Sequence, residues 1–325
     1  MLVTILIALG ITVTATVVSQ AAFDYPLPKW IVLGVYLLAY LIVHQLRRSP
    51  PAPQFADEPD PDYSHLPTSG PIRRFGQLGL MAVFFTTNLL SLFNPRQARE
   101  LFKQLAGNAE LAKREKESGD NGCTYQTKAR YTLPFRGQWL VYNGGMTPKT
   151  SHSWDVLGQR FALDFVVANE DFARHTGRGT RPEDYLCYGK EILAAAGGTV
   201  IATRSDVKTA PLLGWGVCDF TARSFVGNYV LIRHAAGEFG LYAHLIPDSV
   251  AVKTGDTVER GQVVGLCGHT GHSSEPHLHF HLQDSEDLFR GMGLPVLFSG
   301  PMVDGEPVAA AHLKAGQRVS SSDSR

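Results

Sequence analysis

The chain has 325 residues, which is enough for one sizeable domain with appendages. Its 30 basic and 30 acidic residues balance, so the charge gives no indication of a nucleic-acid partner. The 32 glycines and 19 prolines indicate many turns and favour a β-rich domain. The four cysteines are widely spaced and include no Cys-x-x-Cys pair, so the sequence does not indicate a thiolate zinc site.

Two uncharged apolar runs open the chain. Residues 2–23 are long enough to cross a bilayer, and residues 30–46 form a second run that ends at Arg47 and Arg48. We therefore predict two transmembrane helices in residues 1–48 and a membrane-associated, α-helical N-terminal region. A buried pair of core helices is the alternative explanation.

A stiff, proline-rich acidic linker is predicted for residues 49–74. The uncharged run at residues 75–94 is either a third transmembrane helix or an interfacial or core helix. The sequence therefore does not decide on which side of the membrane the rest of the chain lies. An amphipathic packing helix then begins at Asn94-Pro95 and ends at Ser118-Gly119, because these are typical capping residues. These two helical segments together make up residues 75–118.

A β domain is predicted for residues 119–298. From Tyr125 onward, short β-like runs alternate with glycine, asparagine and proline, a texture typical of an antiparallel, mainly β fold. Residues 299–325 have no such pattern, and we predict a loosely attached tail that is partly disordered.

The most informative stretch is residues 275–281, Glu-Pro-His-Leu-His-Phe-His. In a strand, side chains alternate between faces, so three histidines share one face opposite Leu278 and Phe280. Neutral imidazole is a common zinc ligand. A solvated polar face is the commoner explanation of a lone His-x-His, and the rest of the chain must decide between the two.

Three more polar residues indicate a metal site. His152 follows a turn-like Asn-Gly-Gly, and Asp164 interrupts the apolar run 161–165, where an unpartnered carboxylate would be costly. His244 ends the predicted strand 240–244, and the glycine-rich segment 265–271 leads into the histidine strand.

An ordered series of motifs resembles the lysostaphin-like (LytM-type) zinc endopeptidases. The series consists of Gly227-Asn-Tyr-Val-Leu-Ile-Arg-His234, Tyr242-Ala-His-Leu245, Val252-Lys-Thr-Gly-Asp-Thr-Val-Glu-Arg-Gly-Gln-Val-Val-Gly265 and Gly268-His-Thr-Gly-His-Ser-Ser-Glu-Pro-His-Leu-His-Phe280. With the two upstream ligand candidates, the resemblance covers roughly residues 135–283. It implies a mainly β, antiparallel and barrel-like catalytic domain of the lysostaphin-like type.

The resemblance also implies a site. Its Zn²⁺ ligands are His152, Asp164 and His279, and its catalytic histidines are His244 and His277. Two imidazoles and one carboxylate leave a coordination position open, as in catalytic zinc sites. The family spacing is His-x-x-x-Asp, whereas His152 and Asp164 stand twelve residues apart, so a longer insertion is expected between them.

The function implied is a bacterial zinc metalloendopeptidase that hydrolyses peptide bonds, in peptidoglycan cross-links, through metal-activated water. Such an enzyme would be membrane-anchored with an extracytoplasmic catalytic domain. A catalytically silent regulatory or binding module on the same fold is the alternative. A lipoyl- or biotinyl-carrier domain is a third interpretation of residues 252–262, but the following hairpin offers no suitable lysine.

Overall fold

The computed structural model of the protein describes residues 2–23, 27–46, 69–119 and 122–321. The chain divides into two compact units, Met1–Pro50 and Pro51–Arg325. The predicted proline-rich linker lies outside the described residues over most of its length.

The described part of the first unit contains two helices, α1 (Leu2–Phe23) and α2 (Lys29–Leu46), which contact each other. A membrane-spanning helix needs about 20 consecutive apolar residues. Throughout the described ranges, no helix combines the length and the apolar character needed to cross a membrane. The predicted transmembrane helices in residues 1–48, and the third candidate at residues 75–94, are therefore not supported.

The second unit begins with helical elements. A 3-10 turn (Pro71–Phe75) leads into α3 (Gly76–Leu90), and another (Ser91–Phe93) leads into α4 (Pro95–Ser118). At the start of α4, the Asn94 side chain accepts a hydrogen bond from the backbone N–H of Arg96 at 3.1 Å. At its end, Gly119 adopts a left-handed φ of 68°. The predicted bounds of this helix are confirmed.

The described part of the second unit contains fifteen short strands. They are β1 (Gln138–Asn143), β2 (Leu163–Val166), β3 (Glu191–Leu193), β4 (Gly198–Arg204), β5 (Asn228–Ala235), β6 (Glu238–Leu245), β7 (Thr257–Val258), β8 (Val263–Leu266), β9 (Leu278–Gln283), β10 (Gly293–Leu294), β11 (Phe298–Ser299), β12 (Pro301–Val303), β13 (Glu306–Pro307), β14 (Ala310–Ala311) and β15 (Arg318–Ser321).

One large antiparallel sheet organises these strands. It has eleven strands in the order β13-β12-β15-β1-β2-β9-β6-β5-β4-β7, with β10 paired to β9. Strands β11 and β14 form one small sheet, and β3 and β8 form another. The prediction of a mainly β, antiparallel domain is confirmed, and the histidine strand β9 lies near the centre of the sheet.

The predicted tail belongs to the sheet. Strand β15 pairs with β1 so that Val319 lies opposite Trp139, and Val319 is fully buried in the main core. Strand β12 then pairs with β15. The prediction of a loosely attached tail at residues 299–325 is therefore wrong up to residue 321, and residues 322–325 lie outside the described residues. Strands of two to four residues are too short to show a clear alternation in the sequence.

Candidate metal centre

Strand β9 has one apolar face and one polar face. Leu278, Phe280 and Leu282 are fully buried in the main hydrophobic core. On the opposite face, His279 and Gln283 are also buried, with exposed fractions of 7% and 0%. The alternation predicted from the sequence is confirmed, and the polar face is buried rather than solvated.

Asp164 lies beside His279 because their strands pair in this register. Strands β2 and β9 place the two residues opposite each other, and Oδ1 of Asp164 lies 2.9 Å from Nδ1 of His279. On the other side, β1 places Asn143 opposite Asp164, and its amide nitrogen donates to Oδ2 at 3.0 Å. Sheet pairing alone therefore fixes the carboxylate and one imidazole.

The Asp164 carboxyl is held in its ionised form. Burial by itself would raise its pKa, but the imidazoles of His152, His277 and His279 together hold the pKa well below its ordinary value. A buried carboxylate that is surrounded by imidazoles is suited to binding a cation.

His152 reaches this carboxylate from an irregular segment between β1 and β2. Its Nε2 lies 3.4 Å from Oδ2 of Asp164. The neighbouring Ser151 and Ser153 donate to the carbonyls of Arg160 and Gln159 at 2.7 and 2.6 Å, which closes the segment into a compact loop. The insertion expected between His152 and Asp164 therefore folds back and brings the two side chains together.

Helix α4 braces the loop that carries His152. The guanidinium of Arg160 is fully buried and donates to both carboxylate oxygens of Glu115 at 3.2 Å. It also lies over the Trp154 ring at 5.0 Å. The predicted role of this helix in packing is confirmed, and the helix contributes indirectly to the site.

We expect Glu115→Gln to lower the free energy of unfolding by about 2 kcal/mol, because it removes the carboxylate that the buried Arg160 guanidinium faces. Urea titration of the full-length protein measures this change. Glu117→Gln is the matched control, since Glu117 makes only an exposed ion pair with Lys113 at 3.7 Å. Equal stability of the two variants would contradict the role assigned to α4.

His244 lies at the end of β6 in a strained backbone conformation. Its φ is 66°, which non-glycine residues rarely adopt and which occurs preferentially at functional sites. A backbone carbonyl can only accept, so Nδ1–H of His244 donates to Thr270 O at 2.7 Å and Nε2 carries the lone pair. Burial, together with the neighbouring His277 and His279, holds the pKa of His244 well below its ordinary value. His244 is therefore a neutral imidazole with one acceptor nitrogen.

His277 precedes β9 and faces His244. The two ring centroids are 4.7 Å apart, and Nε2 of His277 lies 3.7 Å from Oδ1 of Asp164. Its Nδ1–H donates to the carbonyl of Glu275 at 2.8 Å. The Glu275 carboxylate is held in turn by Arg174, whose Nε donates to it at 2.6 Å. His277 thus presents Nε2 to the same space as the other site residues.

Among the residues that the structure describes, two overlapping groups of side chains could hold a metal ion. In each group, one ligand atom per residue lies within 4.8 Å of the others. The first group is His152, Asp164 and His279, and the second is His244, His277 and His279. Only the first supplies an anionic ligand beside two imidazoles, and this donor set fits zinc.

Four other histidines of the β domain do not contact the proposed metal ligands directly. His175, a spare candidate from the sequence, accepts a hydrogen bond from the backbone N–H of Gly70 at 3.1 Å. His234 contacts the Tyr242 hydroxyl at 3.0 Å, and His272 contacts Gln97 at 3.1 Å. His269 bonds to the Ser273 hydroxyl at 2.8 Å, so its link to the site is indirect.

Sequence reasoning missed several residues that surround the site. Asn143 could have been found by aligning the predicted β1 and β2 as an antiparallel pair, since it ends β1 opposite Asp164. Arg174 lies in a long loop, and nothing in the local pattern indicates its ion pair with Glu275. Gln283 continues the alternation of β9, so its position on the polar face could be predicted. Its hydrogen-bond partners could not be predicted.

Comparisons with known proteins identify peptidases that are similar to part of this chain. Residues 183–290 match the family model for peptidase family M23. Peptidoglycan DD-endopeptidase ShyC of Vibrio cholerae serotype O1 is 29% identical over 153 residues, which are 45% of this chain and 33% of the relative. DD-carboxypeptidase/endopeptidase Mpg of Neisseria meningitidis serogroup B is 41% identical over 88 residues, which are 27% of this chain and 18% of the relative.

The predicted resemblance to lysostaphin-like endopeptidases is confirmed over residues 183–290, which match peptidase family M23. Among solved structures, the catalytic domain of lysostaphin from Staphylococcus simulans is 19% identical and covers 49% of this chain and 88% of its own, with a TM-score of 0.27. A score this low adds nothing to the sequence matches.

The family match leaves part of the site outside its bounds. His244, His277 and His279 lie within the M23 match, whereas His152 and Asp164 precede it. The chain spans a third or less of the two relatives' own lengths, 33% and 18%. What the whole relatives do is therefore carried over only as a proposal.

Proposed function

We propose that this protein is a zinc-dependent metalloendopeptidase that hydrolyses peptide bonds in the cross-links of bacterial peptidoglycan. The observation that carries the proposal is the grouping of His152, Asp164 and His279 within 4.8 Å, beside His244 and His277. The names of the matched relatives support peptidoglycan as the substrate and favour D,D-peptide bonds within it. Because that polymer lies outside the cytoplasmic membrane, the proposal implies an extracytoplasmic location.

In this proposal, some site residues bind the metal ion and others act on the substrate. His152, Asp164 and His279 would hold the zinc ion, which supplies Lewis-acid chemistry that polarises a peptide carbonyl and activates water. His244 is neutral and its Nε2 can accept a proton during the attack. His277 presents Nε2 from the neighbouring position, with its ring centroid 4.7 Å from that of His244, so it is placed to act on the same substrate carbonyl.

Exposure indicates the side from which substrate approaches. The side chains of Asp164 and His279 are each 9% exposed, whereas His152 is 33% exposed. The ligand set is therefore open on the His152 side and closed on the β-sheet side. We therefore infer that the peptide substrate approaches from the His152 side.

Metal removal tests the proposal directly. We expect the purified full-length protein, loaded with one equivalent of zinc, to release peptide-cleaved fragments from purified peptidoglycan, as identified by mass spectrometry. A chelator should abolish release and added zinc should restore it, because no protein side chain replaces the Lewis acid. A folded, zinc-loaded protein that releases nothing would contradict the proposal, and a folded protein that binds no zinc would favour the silent regulatory module.

A further inference from the structure

The side-chain amide of Gln283 has one fixed orientation. Its Nε2 donates to the carbonyl of Ser285 at 2.6 Å and to the carbonyl of Asp287 at 3.0 Å, which uses both N–H groups. The side chain is fully buried, and Gly291 packs so closely that a Cβ atom there would lie 2.8 Å from Nε2. The amide oxygen is therefore the only atom of Gln283 that can face His281.

This orientation decides which nitrogen of His281 carries its proton. Nε2 of His281 lies 3.0 Å from Oε1 of Gln283, and an amide oxygen only accepts, so Nε2 must donate. His281 is 1% exposed, and a second ring proton would bury a charge. Nδ1 of His281 therefore carries a lone pair.

The hydrogen bond to His281 in turn decides which nitrogen of His279 carries a proton. Its Nε2 lies 3.0 Å from the acceptor Nδ1 of His281, so Nε2 of His279 must donate. The ring then has only Nδ1 left to offer, and Nδ1 lies 2.9 Å from Oδ1 of Asp164. An imidazole lone pair and a carboxylate oxygen are both acceptors, so a cation or a proton must lie between them.

We propose that Gln283 and His281 are positioning residues that keep a proton on Nε2 of His279 and thereby reserve Nδ1 for the metal ion. This inference rests on the metal site in the proposed function. We call this chain of hydrogen bonds from Gln283 through His281 to His279 the relay. Without it, the His279 ring could change tautomer or rotate and present a protonated nitrogen to the metal. Partners of this kind behind a metal-bound imidazole typically change metal affinity by roughly 10–100-fold.

Zinc affinity measures the effect without any assay of activity. We expect His281→Phe, which removes the acceptor but keeps an aromatic ring, to weaken zinc binding by roughly 10–100-fold in a competition titration with a chromophoric chelator. His281→Gln keeps an acceptor oxygen and should restore affinity to within about threefold. The matched control is His234→Phe, because His234 lies on β5 and bonds to the Tyr242 hydroxyl and the Gly197 carbonyl rather than to a proposed metal ligand.

The protonation of the ring nitrogens provides a second, independent readout. In full-length protein labelled with nitrogen-15 in histidine, we expect Nε2 of His279 to be protonated both with and without zinc. An unprotonated Nε2 would overturn the relay, and so would unchanged zinc affinity in a folded His281→Phe variant. If that variant does not fold, the protonation of Nε2 of His279 in the wild-type spectrum tests the relay by itself. If the wild type binds no zinc, the proposed metal site fails, while the proton on Nε2 still decides the relay.

Discussion

His279→Ala is expected to abolish zinc binding and peptidoglycan hydrolysis together. His279 belongs to both groups of side chains that could hold the metal, and it lies directly against the Asp164 carboxylate. We expect zinc affinity to fall by more than about 100-fold, since loss of an outer hydrogen-bond partner alone costs roughly 10–100-fold. Hydrolysis should fall by about 10³-fold or more, because the Lewis acid is lost with the ligand.

The matched control for this variant is His312→Ala. His312 is partly buried, and its Nδ1–H donates to the carbonyl of Val296 at 2.9 Å, away from the metal site. We expect this variant to bind zinc and release fragments like the wild type. A His279→Ala variant that remains folded and still hydrolyses peptidoglycan would contradict the zinc mechanism.

Replacing either of the two proposed catalytic histidines should separate the loss of hydrolysis from the loss of metal binding. For His244→Ala and His277→Ala, we expect kcat to fall by about 10²–10⁴-fold, the usual contribution of a positioned proton donor or acceptor. Zinc affinity should stay within about threefold of the wild type, because neither residue belongs to the proposed ligand set. Zinc titration and initial rates of fragment release measure the two quantities separately.

A comparison of His152→Ala with His244→Ala discriminates between the two groups of side chains that could hold the metal. If His152, Asp164 and His279 hold the metal, His152→Ala weakens zinc binding and His244→Ala does not. If the metal instead lies among His244, His277 and His279, the two results are reversed. The reversed outcome would overturn the assignment of catalytic and ligand roles.

The central part of the site could be predicted because local patterns carry it. Alternation placed His279 on a strand face opposite Leu278 and Phe280, and a carboxylate within an apolar strand marked Asp164 as needing a partner. Pairing of β2 with β9 then brings the two residues together. The α4 helix was equally predictable, because Asn94 and Gly119 cap it locally.

The supporting structure could not be predicted, because it depends on contacts between distant residues. The ion pair between Arg160 and Glu115 joins a loop to a helix 45 residues away. The orientation of Gln283 depends on which carbonyls its amide meets after β9 ends. The last strands are too short to show a period, and Val319 is assigned to the core only by its pairing with β1. Apolar composition alone predicted membrane spans that the described helices do not support.

The most direct test of the proposed chemistry uses a defined substrate. A purified, cross-linked muropeptide dimer is incubated with the zinc-loaded full-length protein in heavy-oxygen water, and the products are weighed by mass spectrometry. We predict two peptide fragments, with one heavy oxygen atom in the carboxylate of the newly formed C-terminus and none in the fragment with the new amine. An intact dimer in the presence of stoichiometrically bound zinc, or cleavage confined to the glycan, would contradict the assignment of this protein as a peptide-bond hydrolase.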